Sequence, residues 1–186
     1  LGALHRNDIV HGDIKPANVM IKRTGQAKII DLGSAFDIDN LPVRRSITPA
    51  YAALEVLTGE YSSPRADLAS LGYMLVELLA GKPLFSSLHD LGMIIEGKRK
   101  ILTTLPAVLP DVVLRNELLM TFIGGLVNPD PSKRFVSADE AVTAEIGAAA
   151  FLRQLVKGDM ASEYQNDLRI WVDELLELET DNNLPA

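Results

Sequence analysis

The segment from Val19 to Ile30 reads as two short strands around a turn containing Gly25, and this hairpin constrains the chain more than any other feature. Asn18 stands at one open end and Asp31 at the other, thirteen positions on. Paired strands lie about 5 Å apart, so the hairpin brings two oxygen-bearing side chains together as ligands for a divalent cation. Immediately upstream, His11-Gly12-Asp13-Ile14-Lys15-Pro16-Ala17-Asn18 supplies a carboxylate, a lysine and an amide in eight residues, and Asp31-Leu32-Gly33 follows the hairpin. Asp13 can accept the proton of an attacking hydroxyl. Lys15, two residues on and on the same side of an extended loop, can set an ammonium against a developing negative charge while Pro16 stiffens the backbone.

Three further runs come in order: Thr48-Pro49-Ala50-Tyr51-Ala52-Ala53-Leu54-Glu55, Asp67-Leu68-Ala69-Ser70-Leu71-Gly72 and Asn128-Pro129-Asp130-Pro131-Ser132-Lys133-Arg134. With the catalytic-loop pattern His-x-Asp-x-Lys-x-x-Asn and a Leu variant of Asp-Phe-Gly, this order resembles the eukaryotic-type Ser/Thr protein kinases, with a texture closest to their bacterial branch. The resemblance covers roughly residues 1–147 and matches the larger, C-terminal lobe of that family. It implies a mainly α fold with a small β-hairpin (α+β), a kinase-like C-lobe without the N-terminal β-rich lobe. The expected division is a catalytic lobe over residues 1–150 and an acidic helical extension over 151–186.

The resemblance implies transfer of the γ-phosphate of ATP to Ser or Thr hydroxyls of a protein substrate, with Mg2+ or Mn2+ as cofactor. Asp13 would be the base and Lys15 would contact the transferring phosphate. Asn18 and Asp31 would hold the metal, and Met20 would form part of the adenine pocket's floor. Thr48 would hydrogen-bond near Asp13 and Lys15. Glu55 and Arg134 would tie the activation segment to the lobe as an ion pair, Asp67 would bond backbone groups of the catalytic loop from a helix start, and His11 reads as a loop residue bonded to neighbouring backbone. His5 and His89 show no partner in the sequence.

Departures from the family pattern bear on regulation. Gly12 stands where many such kinases carry an arginine that pairs with a phosphorylated activation segment, so that anchor is lost. Ser46, beside Arg44 and Arg45, is the one candidate phosphosite singled out there. Leu54 replaces the usual proline, and Ala69 replaces a large tryptophan, opening volume that a neighbour must fill. No Gly-x-Gly-x-x-Gly occurs among the 13 glycines and the chain opens on Leu1, so it reads as a fragment of a longer protein, inactive alone, whose missing N-lobe is its first partner.

Composition fits one globular domain with an appendage: 186 residues, 47% apolar and 23% charged. The absence of cysteine rules out disulfides and thiolate metal sites and suits a reducing, cytoplasmic setting. A net charge of −7 without a basic cluster argues against nucleic acid, and apolar runs such as Leu118 to Val127 are too short to span a membrane. Helices are expected over Leu68 to Leu79, ending at Gly81, and over Leu88 to Lys98, Val112 to Val127 and Ser137 to Ala149, with turns at Pro106, Pro110, Pro129 and Pro131.

From Phe151 onward, eight acidic residues face three basic ones. Tyr164, Leu168, Trp171, Leu175 and Leu178 form one apolar stripe of a helix after a break at Gly158 and Asp159, with Ser162 as its cap. Two other readings compete with the protein kinase. A small-molecule phosphotransferase of the aminoglycoside or choline type shares His-Gly-Asp, the later Asn and a metal-binding Asp, but lacks a reason for Lys15 and the Thr48 to Glu55 run. A degenerate lobe kept as a scaffold has no chemical need of Asp13, Lys15, Asn18 and Asp31 together.

Overall fold

Ser63 starts the longest helix, its hydroxyl accepting the Arg65 N–H at 3.3 Å, and Pro64 occupies the first helical position where its missing N–H costs nothing. This helix, α3 (Pro64–Ala80), ends on Gly81 in the left-handed conformation (φ 66°), the stop expected from the sequence. The computed structural model describes residues 1–24, 26–42, 46–60, 62–85, 88, 90–157 and 170. The expected tail helix with Tyr164, Leu168, Trp171, Leu175 and Leu178 lies outside them, as do Gly158, Asp159, Ser162, His89, Arg44 and Arg45.

The order is α1 (Gly2–His5), β1 (Ile9–Val10), a 3-10 turn (Pro16–Asn18), β2 (Val19–Ile21), β3 (Ala27–Ile29), β4 (Phe36–Asp37), α2 (Leu54–Leu57), α3, α4 (Leu91–Arg99), α5 (Ile101–Val108), α6 (Asp111–Leu114), α7 (Glu117–Val127), a 3-10 turn (Pro131–Lys133), α8 (Ala138–Thr143) and α9 (Ala148–Lys157). The fold is therefore mainly helical, with two small antiparallel sheets. The expected hairpin is β2 against β3, in register Val19 to Ile29, Met20 to Lys28 and Ile21 to Ala27. A second ribbon pairs Ile9 with Asp37 and Val10 with Phe36 and had no sequence signature, because two-residue strands carry no alternation to detect.

The core lies between α3 and α7, where Leu68, Tyr73 and Val76 meet Ile123, Leu126 and Val127, all at most 1% exposed. The two helices approach closely at Gly72: a Cβ there would sit 2.5 Å from Val127 Cγ1 and 2.8 Å from Leu126 Cβ. Ala69, in place of the family's tryptophan, is fully buried in the same cluster.

Several helix limits differ from expectation, each for a local reason. The helix expected over 112–127 is two, since the Asn116 side chain accepts the Leu119 N–H at 3.0 Å and starts α7 afresh. The helix expected over 137–149 divides into α8 and the start of α9 at a turn in which Gly147 N–H donates to Ala144 O at 2.8 Å. Asp90 caps α4, which begins at Leu91, three residues later than the expected start at Leu88. The region of Pro106, expected as a turn, is α5; the proline sits in its last turn and the helix ends two residues later. Helix α9 runs through residue 150, with Phe151 packed on the core. No helix among the described residues is long and apolar enough to cross a membrane.

Candidate active site

Asp67, in the first turn of α3 and 1% exposed, holds the loop that carries Asp13. Its Oδ2 accepts the His11 N–H at 2.7 Å and its Oδ1 the Gly12 N–H at 2.9 Å, while His5 Nε2 lies 3.0 Å from Oδ2. A carboxylate at a helix start satisfies backbone donors and the helix dipole together. Gly12 follows with φ 77°, and a Cβ there would meet Ser34 O at 2.8 Å, so the residue in the place of the family's arginine is held as glycine by its backbone. His11 is fully buried; its Nδ1 accepts the Asp13 N–H at 3.3 Å and its Nε2 faces Ile30 O at 3.3 Å, tying this loop to the end of the hairpin.

Asp13, Lys15 and Thr48 form a closed triangle. The Thr48 hydroxyl donates to Asp13 Oδ1 at 2.7 Å and accepts from Lys15 Nζ at 3.1 Å, and Lys15 Nζ lies 2.6 Å from Asp13 Oδ2. The Asp13 side chain is 11% exposed and that of Lys15 26%, so a partly open face remains for a reactant. Asn18, 5% exposed, donates from Nδ2 to Asp13 O at 2.8 Å and to Asp13 Oδ2 at 3.3 Å.

That use of Nδ2 commits the other end of the amide, an oxygen, to the role of acceptor. Ile30 N–H donates to Asn18 O at 2.9 Å, which sets the hairpin's two ends side by side. Asp31, exposed and at φ 62°, is oriented by the Gly33 N–H, which Oδ1 accepts at 2.9 Å. Both side chains offer the hard oxygens that magnesium takes, so Asn18 and Asp31 would fit the cation as ligands. The described residues contain no group of three or more His, Asp or Glu that could hold a metal by themselves. Met20 is 56% exposed on the hairpin, and Ile21 and Leu32 are likewise exposed.

The segment from Thr48 to Glu55 is anchored at three points. Tyr51 donates its hydroxyl to Glu77 Oε2 at 2.7 Å, and burial together with that carboxylate raises the phenol to about 12. Arg134 meets Glu55 through two bonds of 2.7 and 2.8 Å, and its guanidinium also reaches Asn128 O at 2.7 Å and Arg65 O at 3.0 Å. Lys98 Nζ donates to Ala50 O at 2.8 Å. Helix α2 begins at Leu54 without the family's proline.

The sequence reading missed His5, Lys98 and Glu77. A signal existed for Lys98: Ile94, Lys98, Ile101 and Leu105 follow the four-three-four spacing of an apolar stripe, so the lysine stands where a buried residue belongs.

The family described as the protein kinase domain matches residues 1–145. The chain is 30% identical to the serine/threonine-protein kinase PAK mbt of Drosophila melanogaster over 157 residues, 83% of this chain and 23% of that protein. It is 36% identical to a probable serine/threonine-protein kinase of Streptomyces coelicolor over 142 residues, 73% of this chain and 21% of that protein. It is 30% identical to the serine/threonine-protein kinase KIC1 of Saccharomyces cerevisiae over 149 residues, 78% of this chain and 13% of that protein. The chain thus spans less than a quarter of the length of these relatives. Matched over most of its length, it belongs to the protein kinase family and is similar to serine/threonine kinases of both animals and bacteria.

Proposed function

We propose that this chain is the catalytic lobe, residues 1–150, with an acidic extension, residues 151–186, of a protein kinase that phosphorylates serine or threonine in other proteins. The observation that carries the reading is the triangle of Asp13, Lys15 and Thr48 with Asn18 bonded to the same aspartate. Asp13 aligns the acceptor hydroxyl and takes its proton; Thr48 and Lys15 hold the carboxylate in place, and Lys15 turns its ammonium toward the transferring phosphate. Asn18 and Asp31 would hold a magnesium ion, which when bound neutralises phosphate charge. His11, Asp67 and the Glu55 to Arg134 pair keep the two loops in register.

The chain contains no Gly-x-Gly-x-x-Gly run to cover the nucleotide phosphates, so ATP binding belongs jointly to this lobe and to an N-lobe of the intact gene product. The isolated chain is expected to transfer phosphate negligibly. The absence of cysteine suits work in the reducing cytoplasm. The test is transfer of labelled γ-phosphate from magnesium-ATP by the intact gene product, offered protein and peptide acceptors beside aminoglycosides and choline. Label on serine and threonine supports the proposal; label on the small molecules alone makes it a small-molecule phosphotransferase, and none on any acceptor makes the lobe a scaffold.

A further inference from the structure

Lys98 is fully buried, among the described residues the one lysine that is. It lies on the inner stripe of α4 and α5 with Ile94, Ile101 and Leu105, where an apolar residue of similar length would satisfy the packing. Its Nζ sits 3.5 Å from the centroid of the Tyr73 ring and 4.5 Å from that of Phe85, and the two rings meet edge to face at 5.6 Å. Taking an ammonium out of water is costly, and cation–π contacts offset only part of that cost. The remaining partner is the Ala50 carbonyl at 2.8 Å.

Ala50 lies in the turn that begins at Thr48, whose carbonyl accepts the Tyr51 N–H at 3.0 Å and the Ala52 N–H at 2.9 Å. Two residues before Ala50, the Thr48 hydroxyl closes the triangle with Asp13 and Lys15. We propose that Lys98 is a positioning residue: by holding the Ala50 carbonyl from below, it fixes the turn that places Thr48 against Asp13. It touches no reacting atom. Its effect on catalysis rests on the kinase reading above, whereas the tether itself does not.

The test uses Lys98→Met, which keeps the stem's bulk and removes the donor, in the intact gene product. Hydrogen exchange read by mass spectrometry should show the peptide covering residues 48–55 exchanging about tenfold faster or more, with the α7 peptide covering residues 117–127 unchanged. Protein phosphorylation should fall about tenfold or more in kcat/KM, with KM for ATP unchanged. Unchanged exchange over 48–55, or equal acceleration in both peptides, overturns the tether. Faster exchange with undiminished phosphorylation overturns the positioning role. If the unsubstituted protein phosphorylates nothing, the kinase reading fails and the exchange data alone decide the tether. A second measurement needs no variant: under brief acetylation of the native protein, Lys98 should react about tenfold more slowly or less than exposed Lys100, and equal rates overturn its burial against Ala50.

Discussion

Arg134 and Glu55, 79 residues apart in sequence, face each other through two parallel hydrogen bonds of 2.7 and 2.8 Å, with side chains 0% and 4% exposed. The pair joins the end of the 48–55 segment to the turn before α8, and the guanidinium's bonds to Asn128 O and Arg65 O draw the start of α3 into the same knot. The fork of an arginine is needed here, because a lysine offers a point charge and cannot serve carboxylate and carbonyls in one plane.

Removing one partner strands the other charge in the interior. Glu55→Ala or Arg134→Ala should lower stability by about 3–5 kcal/mol, read from urea denaturation, while Arg134→Lys recovers only part of that loss. Equal stability of Arg134→Lys and the unsubstituted protein would show that the fork geometry is immaterial.

The close approach of α3 and α7 makes a different demand. In Gly72→Ala the added methyl meets Val127 and Leu126 within 2.5 to 2.8 Å, so the helices must separate. The expected loss is ~1–3 kcal/mol. A thermal midpoint unchanged from the unsubstituted protein would mean that the core yields freely at this crossing.

Asp67 serves three donors with two oxygens. Asp67→Asn turns one of those acceptors into a donor facing a donor, and should cost about 1–3 kcal/mol. Because the N–H groups of His11 and Gly12 lose their anchor, phosphorylation should fall more than the stability change explains. Helical circular dichroism at full strength beside reduced kcat is the expected pair of results, and unaltered kcat would contradict the anchoring role.

Burial pushes the Lys98 ammonium well below its ordinary value of 10.5, with Arg134 lowering it further and Glu55 opposing. Tyr73, whose ring faces Nζ, has its phenol raised by burial. Between the depressed value and 10.5 the unfolded chain binds more protons at this lysine than the folded one, so its contribution to stability rises with pH across that window. The difference in urea midpoint between the unsubstituted protein and Lys98→Met should therefore shift in favour of the unsubstituted protein on going from neutral pH to about pH 9. A pH-independent difference would place the lysine's titration outside that window.

The hairpin was legible because its strands carry β-branched residues around a turn and its ends carry the oxygens, and α3 was legible because an apolar run ends at Gly81. The break at Asn116 was not: apolar residues continue on both sides, and one amide capturing the Leu119 N–H decides the matter. Pro106 reads as a turn in the sequence, yet a proline late in a short helix removes only one bond. Asp13, Lys15, Asn18 and Thr48, which the fold brings together, were singled out by the chemistry of the ordered runs. His5 and Lys98 were not, since a lone histidine or lysine reads as surface until the fold supplies Asp67 or the Ala50 carbonyl.

The most direct measurement is phosphate transfer from magnesium-ATP to a serine-containing protein by the intact gene product, beside Asp13→Asn, which keeps the side chain's size and removes its basicity. The account predicts robust transfer that falls about a hundredfold or more in the variant, with the fold and ATP affinity retained. Transfer at an equal rate in both proteins would contradict it.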